Sequence, residues 1–397
     1  MRILPVFRSC LFKTMPEKIN LLYVITKLEL GGAQKHALDL CRHLDQERFN
    51  VFLFTAAGGI LLQDSLSIKG LNVKQSVYLE RRINPVKDFL AVLELYSFIR
   101  RNNIHIAHTH SSKAGVVGRI AARLAGVKIV IHTAHGWSFN DFQRCLASKM
   151  FIWLERFCAL LTDKIIVVSR ADMRKGLENR IGYPEKYSLI RYGIDIPVFA
   201  SKDTGIKQEL GVLADDPVVG MVACFKPQKN PLDFIRAAAM VRGAHPRARF
   251  VLVGDGVLRQ RIEALADELG LSGNVILAGW RRDIPRLLAA FDVFALTSYW
   301  EGLPISALEA MAASKPVVVT DTSGITEIIR DGENGFLVKP GDIPKMAEKI
   351  SLLLDNRSLR EQMGASALKS LSEGFTTTDM CQNTFNLYSS LIKKAMI

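Results

Sequence analysis

Residues 293–311 read VFALTSYWEGLPISALEAM and join a β-rich run, a turn with Gly and Pro, and an apolar helical stretch. Val293–Leu296 predicts a strand, and a helix is expected to begin near Pro304, because proline is tolerated in the first turn of a helix. Glu301 then lies in the loop that enters the helix, and Glu309 lies about a turn and a half into it. A strand, loop and helix in this order are the repeating unit of parallel sheets covered by helices.

The two glutamates of this segment suit a ligand that contains both a sugar and a phosphate. Free backbone amides at the start of a helix favour an anion such as phosphate. A carboxylate accepts hydrogen bonds from paired sugar hydroxyls. The alternative is that Glu301 is an exposed loop acid and Glu309 a solvated helix acid, neither of which binds a ligand.

The rest of the chain repeats the alternation of short β-rich runs and longer amphipathic stretches, which predicts an α/β fold with parallel sheets. Two sets of five runs predict two doubly wound domains. The predicted strands are Ile19–Thr26, Asn50–Thr55, Ile104–His108, Lys128–His132, Lys164–Ser169, Pro217–Ala223, Ala248–Val253, Asn274–Ala278, Val293–Leu296 and Pro316–Thr320. The predicted organisation is an extension at 1–18, a first domain at 19–200, a linker at 201–216, a second domain at 217–375, and a C-terminal helix at 376–397 that packs back towards the first domain.

The net charge of +13 is concentrated in the first half of the 397-residue chain. Residues 1–200 carry 29 basic and 16 acidic side chains, whereas residues 201–397 carry 23 of each. A coat of lysines for solubility would spread over both halves. The asymmetry therefore predicts that the first domain meets an anionic partner, which could be nucleic acid, a membrane surface or a phosphorylated substrate.

Two basic stretches with aromatic residues, 79–103 and 142–161, could account for this charge. Basic amphipathic helices suit an anionic membrane surface, and the alternative is that both are ordinary helices packed on the first sheet. The N-terminus lacks the long apolar run and cleavage site of a signal peptide, and no uncharged apolar window of about 18 residues occurs. We therefore expect a cytoplasmic protein that can lie peripherally on the cytoplasmic membrane face.

Several common chemistries are excluded by missing motifs. There is no P-loop, and the third glycine of a dinucleotide fingerprint is replaced by Arg259 after Gly254-Asp255-Gly256. No two aspartates are separated by a single residue, and no Cys-x-x-Cys occurs. His105, His108 and His110 have no neighbouring cysteine or carboxylate of the kind that usually completes a zinc site. We therefore predict no cofactor and no metal.

The run Asp292–Val338 resembles the nucleotide-sugar site of family 4 glycosyltransferases, with its E-x7-E signature at Glu301 and Glu309. Similarity of this kind extends over most of residues 19–390. The resemblance implies a GT-B fold, in which two Rossmann-like domains face each other across a cleft. It also implies a donor site in the second domain, an acceptor site largely in the first, and transfer that retains the anomeric configuration.

The resemblance assigns roles to the residues of the signature segment. Glu301 is expected to contact the hydroxyls of the donor sugar, and Glu309 the ribose. Three residues of the same loop, Gly302, Leu303 and Pro304, belong to the expected donor site.

The family also places an Arg and a Lys after the first strand of the second domain, where they hold the donor diphosphate. Lys229 falls at the Lys position and should neutralise charge on the leaving diphosphate. The Arg position holds Cys224, which cannot donate to phosphate as a guanidinium does. Either Lys226 reaches in instead, or the site has one cation fewer.

The first domain is expected to contribute a glycine-rich loop and histidines. Gly31 and Gly32 follow the first strand, ahead of a helix predicted over Ala37–Leu44, and expose backbone N–H groups to the diphosphate. The resemblance places His135 against the donor sugar, as a catalytic residue with Lys229 and Glu301. The remaining predicted site residues are Gly254 and Arg281 on the donor side, and His110, Ser111 and Lys113 in contact with the acceptor or supporting that contact.

Together these features predict a retaining, metal-independent glycosyltransferase. It would move a sugar from a nucleoside-diphosphate sugar to a hydroxyl of a lipid-linked or polysaccharide acceptor. The alternative is a GT-B nucleotide-sugar epimerase or hydrolase that uses the same donor site without an acceptor. A nucleic-acid-binding module is a third reading of the basic half, but no recognised motif supports it, and no nucleic-acid partner is expected.

Overall fold

The computed structural model describes residues 18–139, 143, 145–200, 205–322, 324–371 and 374–396. The predicted N-terminal extension up to residue 17, positions 201–204 of the predicted linker, and positions 142 and 144 of the second basic stretch lie outside the described residues.

The elements alternate between strand and helix through most of the described chain. The strands are β1 (Ile19–Ile25), β2 (Phe49–Ala56), β3 (Leu71–Ser76), β4 (Ile106–His110), β5 (Ile129–Ala134), β6 (Lys164–Val167), β7 (Tyr187–Leu189), β8 (Val218–Val222), β9 (Arg249–Val253), β10 (Val275–Gly279), β11 (Val293–Leu296), β12 (Val317–Thr320) and β13 (Phe336–Val338). The α-helices are α1 (Gly32–His43), α2 (Leu62–Leu66), α3 (Pro85–Arg101), α4 (Ser112–Leu124), α5 (Cys145–Leu160), α6 (Arg170–Glu178), α7 (Ile206–Glu209), α8 (Pro231–Ala244), α9 (Arg259–Glu268), α10 (Ile284–Ala290), α11 (Ile305–Ala312), α12 (Ile343–Asp355), α13 (Arg357–Lys369) and α14 (Thr377–Met396).

Within the described residues the strands form two parallel sheets. The first has the order β3-β2-β1-β4-β5-β6-β7, and the second has the order β10-β9-β8-β11-β12-β13. In each sheet the order reverses at its first strand in the chain, since β1 lies between β2 and β4, and β8 lies between β9 and β11. Open parallel sheets bind ligands at the carboxyl ends of their strands beside such a reversal. The loops after β1 and β8 are therefore the places to look for a site.

The predicted α/β class is confirmed, and each predicted strand is present within two residues of its expected ends. The expectation of five strands in each sheet was wrong, because β3, β7 and β13 were missed. All three are edge strands. β3 reads LNVKQS with exposed polar residues, and the other two have three residues each. The edge strand β3 is only partly covered, so it lacks the continuous apolar run that marks a buried parallel strand, whereas β7 and β13 are too short to stand out in the sequence.

The second unit has one large apolar core around its sheet. Val293–Leu296 is buried at every position because helices cover both faces of the sheet. Ile206 and Val212, which lie in the predicted linker, are buried in this same core with Val218. The chain on the amino side of β8 therefore packs as part of the second unit.

The C-terminal helix α14 packs on the first unit. Met380, Tyr388 and Ile392 are buried in one cluster with residues of β1 and β2. The chain crosses back where the Ile194 N–H donates to the Phe375 carbonyl at 2.7 Å. No helix in the described part of the chain is both long and apolar enough to cross a membrane.

Candidate functional site

Glu301 is held in the loop between β11 and α11 by two neighbours. The Ser298 hydroxyl donates to Glu301 Oε1 at 2.6 Å, and the ammonium of Lys229 contacts the same oxygen. The Glu301 side chain is only 6% exposed. A carboxylate with so little water around it needs a counter-charge, and Lys229 supplies it. Glu301, which the family resemblance assigns to the donor sugar, and Lys229, which it assigns to the diphosphate, are thus in direct contact.

Hydrogen bonds join the loop that carries Lys229 to the loop that carries Glu301. The Tyr299 N–H donates to the Gln228 carbonyl at 2.9 Å, and the Gln228 side-chain amide donates to the Trp300 carbonyl at 2.9 Å. The Thr297 hydroxyl donates to the Asn230 carbonyl at 2.8 Å. These contacts lie next to Lys229 and Glu301 in the chain, so they fix the position of the two residues relative to each other.

Glu309, the second glutamate of the signature, forms an ion pair across the cleft. It lies on α11, and its Oε1 is 2.6 Å from the Nζ of Lys35 on α1. The Glu309 side chain is 6% exposed and that of Lys35 is 36% exposed. Because α1 belongs to the first unit and α11 to the second, this pair connects the two walls of the cleft. The sequence reading of Glu309 as a solvated helix acid does not fit this burial.

Glycines let the two units approach closely beside Glu301. A Cβ placed on Gly302 would lie 3.2 Å from the Gly136 Cα, so the loop after β5 touches the Glu301 loop. A Cβ on Gly324 would lie 1.2 Å from the Gly302 carbonyl oxygen. Gly136 has φ +96°, a conformation that favours glycine. Small residues at these points place His135 next to the Glu301 loop.

The predicted glycine-rich loop lies at the start of α1. Gly31 is the N-cap and Gly32 the first helical residue, so the helix begins five residues before the predicted Ala37. That prediction was wrong because glycines were taken as loop residues, although they are compatible with a helix N-terminus. A Cβ on Gly32 would lie 2.6 Å from Cδ1 of Ile305, the first residue of α11. The N-termini of α1 and α11 are therefore neighbours across the cleft.

Histidines and a tyrosine form a connected group on the first-unit wall. His110 Nδ1 and His135 Nε2 are hydrogen-bonded at 3.0 Å, and His135 Nδ1 is hydrogen-bonded to the Tyr192 hydroxyl at 2.7 Å. Burial lowers the pKa of both imidazoles well below the usual value, and neighbouring histidines lower it further. Both rings are therefore neutral at physiological pH. The structure brings His110 and His135 together, as two of the predicted residues.

His36 on α1 completes this group and was missed by sequence reasoning. Its ring lies 5.1 Å from that of His135 and 5.6 Å from that of His110, centroid to centroid. Burial lowers the pKa of His36 to about 3. One ring nitrogen of each of the three histidines lies within 4.8 Å of the others, so this group could hold a metal ion.

Lys226 and Gly254 lie on the second-unit wall. Burial, and less strongly the ammonium of Lys229, lowers the pKa of Lys226, whereas the Cys224 and Glu301 side chains raise it. The half-buried thiol of Cys224 occupies the position between strand β8 and these cations. Gly254 has φ +134°, and a Cβ there would lie 2.0 Å from the Ala223 carbonyl oxygen. The loop after β9 therefore lies directly on the end of β8.

Other predicted residues are engaged in contacts of their own. Lys113 forms an ion pair with Asp88 at 2.5 Å and also contacts the Arg82 carbonyl, which turns its ammonium towards α3. Arg281 is paired with Asp283 at 2.6 Å and with Glu209 at 2.7 Å.

Ser111 contributes a turn. It has φ +62° and shares a 2.8 Å hydrogen bond with the Thr26 hydroxyl. Thr26 follows β1, so the contact fixes the loop between β4 and α4 beside the end of β1. In the loop that carries Glu301, Leu303 is buried and Pro304 is the N-cap of α11.

A further contact between the units lies at the start of α6. The Ala171 N–H donates to Glu327 Oε1 at 3.0 Å, and Arg191 donates to Glu327 Oε2 at 3.2 Å. Asp172, next in the chain, lies beside Gly302, and burial raises its pKa to about 6 even though a hydrogen bond from Ser169 lowers it. Sequence reasoning missed these groups, as it missed Lys35, because their partners lie far away in the chain.

The arrangement combines the buried carboxylates of Glu301 and Glu309 with the lysines that pair with them, Lys229 and Lys35. It also includes the N-termini of α1 and α11. Carboxylates accept hydrogen bonds from sugar hydroxyls, while ammonium groups and free backbone amides attract phosphate oxygens. These groups lie at the carboxyl ends of β8 and β11, facing those of β1, β4 and β5. The cleft can therefore hold a phosphorylated sugar compound between the two units.

Comparisons with known proteins agree with this picture. Residues 30–197 match the family model described as Glycosyltransferase Family 4, and residues 202–370 match the one described as Glycosyl transferases group 1. The chain is 32% identical over 389 residues to the UDP-Gal:alpha-D-GlcNAc-diphosphoundecaprenol alpha-1,3-galactosyltransferase of Escherichia coli, covering 96% of this chain and 99% of that protein. It is 29% identical over 362 residues to the O-antigen biosynthesis glycosyltransferase WbnH of Escherichia coli, covering 90% and 97%.

Solved structures share the fold. HepE of Anabaena, crystallised with UDP and glucose, has a TM-score of 0.81 over 94% of this chain and 100% of its own, at 23% identity. The sucrose-phosphate synthase of Thermosynechococcus elongatus has a TM-score of 0.82 at 20% identity, over 95% and 100%. The expected GT-B fold is thereby confirmed. With family matches in both units and relatives aligned over nearly the whole chain, this protein belongs to family 4 of the GT-B glycosyltransferases.

Proposed function

We propose that this glycosyltransferase moves a hexose from a UDP-sugar to a hydroxyl of a lipid-diphosphate-linked sugar, with retention of the anomeric configuration and without a metal ion. The observation that carries the proposal is the pair of buried carboxylates around the start of α11, each in contact with a lysine. The transfer breaks the bond between the anomeric carbon and the diphosphate oxygen, and it forms a bond from that carbon to the acceptor oxygen.

The donor would lie along the two lysine–glutamate pairs. Glu301 accepts hydrogen bonds from sugar hydroxyls and Glu309 from the ribose, as the family resemblance implies. Lys229, released from Glu301 by the donor, neutralises the leaving diphosphate together with Lys226. UDP is favoured as the nucleotide because the Escherichia coli relative is named for UDP-Gal and HepE was crystallised with UDP.

The acceptor assignment draws on the names of the relatives and on charge. The Escherichia coli relative is named for a sugar linked through diphosphate to undecaprenol, and WbnH for O-antigen biosynthesis. Such an acceptor carries anionic diphosphate and a long lipid. The basic excess of residues 1–200 suits both the diphosphate and an anionic membrane surface.

A membrane-facing surface is available on α3 and α5. α3 packs inward through Ala91, Leu95 and Ile99 but leaves Phe89 and Leu93 exposed. Exposed apolar side chains of α5 are Leu146, Met150, Trp153, Phe157 and Leu160, and exposed basic residues of the two stretches include Arg81, Arg82, Lys87, Arg100, Arg101, Lys149 and Arg156. Apolar side chains surrounded by cations are typical of helices that lie on anionic membranes.

An activity screen tests the proposed function. Purified protein is incubated with UDP-, GDP- and ADP-sugars and with a polyprenyl-diphosphate sugar, and the anomeric configuration of the product is read by NMR. We expect transfer from a UDP-sugar with retention, at a rate that EDTA does not lower. Transfer from GDP- or ADP-sugars alone would overturn the nucleotide assignment. An isomerised or hydrolysed donor without acceptor would favour the epimerase or hydrolase alternative.

Vesicle sedimentation tests the membrane surface. We expect binding to phosphatidylglycerol vesicles that weakens with salt, and no binding to phosphatidylcholine vesicles. Trp153→Ser should lower the bound fraction, whereas Trp280→Ser, which changes an exposed tryptophan of the second unit, should not. Equal loss in both variants, or no sedimentation at low salt, would contradict the membrane proposal and leave the transfer reaction unaffected.

A further inference from the structure

Three histidines from three separate elements meet on the first-unit wall of the cleft. His36 lies on α1, His110 ends β4 and His135 follows β5. One ring nitrogen of each lies within 4.8 Å of one ring nitrogen of both others. His36 and His110 are buried and His135 is half-buried, so the group is reached from the side of His135.

Two nitrogens of this group have no hydrogen-bond partner. They are Nδ1 of His36 and Nε2 of His110, on side chains that are 3% and 0% exposed. A buried polar atom without a partner costs free energy, so native proteins rarely keep one unless a ligand or water satisfies it. Nδ1 of His36 can meet a ligand directly, whereas the unpartnered Nε2 of His110 can do so only if the ring turns, because Nδ1 of His110 faces His135. The cluster of three imidazoles points to a ligand that imidazoles bind.

The chemistry of the group suits a transition-metal ion. Imidazole nitrogen is a preferred ligand of zinc and its neighbours, whereas Mg²⁺ prefers oxygen.

The three ring nitrogens lie within 4.8 Å of one another and must draw closer to form a three-histidine zinc site. Zinc–nitrogen bonds of about 2.0–2.1 Å put two ligand nitrogens of a tetrahedral site roughly 3.3 Å apart. Nδ1 of His110 and Nε2 of His135 are 3.0 Å apart and face each other, with ring centroids 5.2 Å apart, so an ion that replaces their hydrogen bond requires both rings to turn. The Tyr192 hydroxyl, 2.7 Å from Nδ1 of His135, acts as the outer partner that orients a metal-bound imidazole.

We propose that His36, His110 and His135 bind one zinc-like transition-metal ion, with a fourth position open to the cleft, and that the bound ion inhibits sugar transfer. Inhibition follows because the ion would fix His135, which lies next to Gly136 and hence beside the Glu301 loop. The inhibitory half rests on the proposed function. The binding half does not, because it is measured without substrate.

Cobalt and zinc titrations of the full-length, metal-free protein test binding. Co²⁺ should produce the visible absorption of a tetrahedral nitrogen site, and calorimetry should give one Zn²⁺ per chain at roughly micromolar or tighter affinity. His36→Gln and His110→Gln should remove this site. Tyr192→Phe should weaken it by roughly 10–100-fold, as loss of an outer partner does. The matched control is His43→Gln, which changes an exposed histidine of the same helix as His36.

The wild-type protein alone can decide the proposal if a variant fails to fold. Zn²⁺ should raise its thermal midpoint, because a ligand that binds the native state stabilises it. Absence of both the cobalt spectrum and the thermal shift would overturn the site, as would an equal effect of His43→Gln and His36→Gln on binding. Zn²⁺ should slow transfer by wild-type protein and not by folded His36→Gln. Zinc binding with an unchanged transfer rate would overturn inhibition, and failure of every sugar donor would overturn the proposed function while leaving the binding result intact.

Discussion

Lys35 and Glu309 meet across the cleft, with Nζ of the lysine 2.6 Å from Oε1 of the glutamate, and 274 residues of chain separate them. Glu309 is nearly buried while Lys35 keeps contact with water. The pair therefore neutralises a buried carboxylate and at the same time joins the two units. A ribose that binds Glu309 would have to compete with Lys35.

Replacing Lys35 should destabilise the free protein and loosen the contact between the units. Lys35→Met removes the charge and keeps most of the length, leaving the carboxylate of Glu309 unpaired. We expect a loss of about 1–2 kcal/mol in the free energy of unfolding, below the value for fully buried pairs because Lys35 is partly exposed. Urea unfolding measures it. Lys87→Met, which breaks the exposed Lys87–Glu80 pair, should change stability by less than about 1 kcal/mol, and equal effects of the two variants would contradict the role given to Lys35.

Lys229→Ala should impair catalysis, and it should also lower stability because it leaves the buried carboxylate of Glu301 without its counter-charge. Loss of a group that stabilises charge in the transition state typically lowers kcat by roughly 10²–10³-fold. Binding of UDP should also weaken, as read by calorimetry. Lys345→Ala removes a lysine from an exposed pair on α12 and should leave both quantities unchanged. Wild-type activity in Lys229→Ala would remove this residue from the donor site.

Gly324→Ala tests the close approach beside Glu301. The added Cβ would overlap the Gly302 carbonyl oxygen, so the Glu301 loop would have to move. A misplaced carboxylate should lower kcat/KM by about 10²-fold, since small displacements in an active site have large effects on rate. The control is Gly243→Ala in α8, where an added Cβ meets nothing within 4 Å and should raise stability slightly. Full activity in Gly324→Ala would show that the loop tolerates the shift.

Asp172 predicts a pH effect on stability. Burial raises its pKa to about 6 in the folded protein, above the value near 4 of an unfolded chain, so the folded state holds the extra proton between these values. Stability from this group is therefore present below pH 4 and is lost as the pH rises to about 6, by roughly 2–3 kcal/mol. The free energy of unfolding of the wild type should therefore fall relative to that of Asp172→Asn as the pH rises from 4 to 6. A difference that stays constant from pH 4 to 7 would contradict the raised pKa.

The attachment of α14 to the first unit can be tested at Tyr388. Its hydroxyl is hydrogen-bonded to Nδ1 of His108 at 2.5 Å and to the Tyr23 hydroxyl at 3.1 Å, all in a buried environment. Tyr388→Phe leaves these groups without a partner and should reduce the free energy of unfolding by about 1–3 kcal/mol. Tyr96→Phe, on the partly exposed side of α3, should have little effect on the thermal midpoint. Similar midpoints for the two variants would mean that the buried network adds no stability.

The sequence by itself determined the α/β class, the positions of ten strands and the local signature around Glu301 and Glu309. These features are local, because strand runs and the loop at a helix start are encoded within a few neighbouring residues. The edge strand β3 escaped the same reasoning because partial burial removes the apolar run that identifies a strand, and β7 and β13 escaped it because each has only three residues. Lys229 was identified through the family resemblance, by its position in the loop after β8.

Only the tertiary structure decided which charges and rings meet. Lys35 meets Glu309, and His36 joins His110 and His135, because parallel sheets bring the carboxyl ends of distant strands and the starts of the following helices to one edge. No spacing in the chain encodes contacts between residues that are tens or hundreds of positions apart. The burial that makes these imidazoles neutral arises from packing, and it follows from the fold of the whole chain.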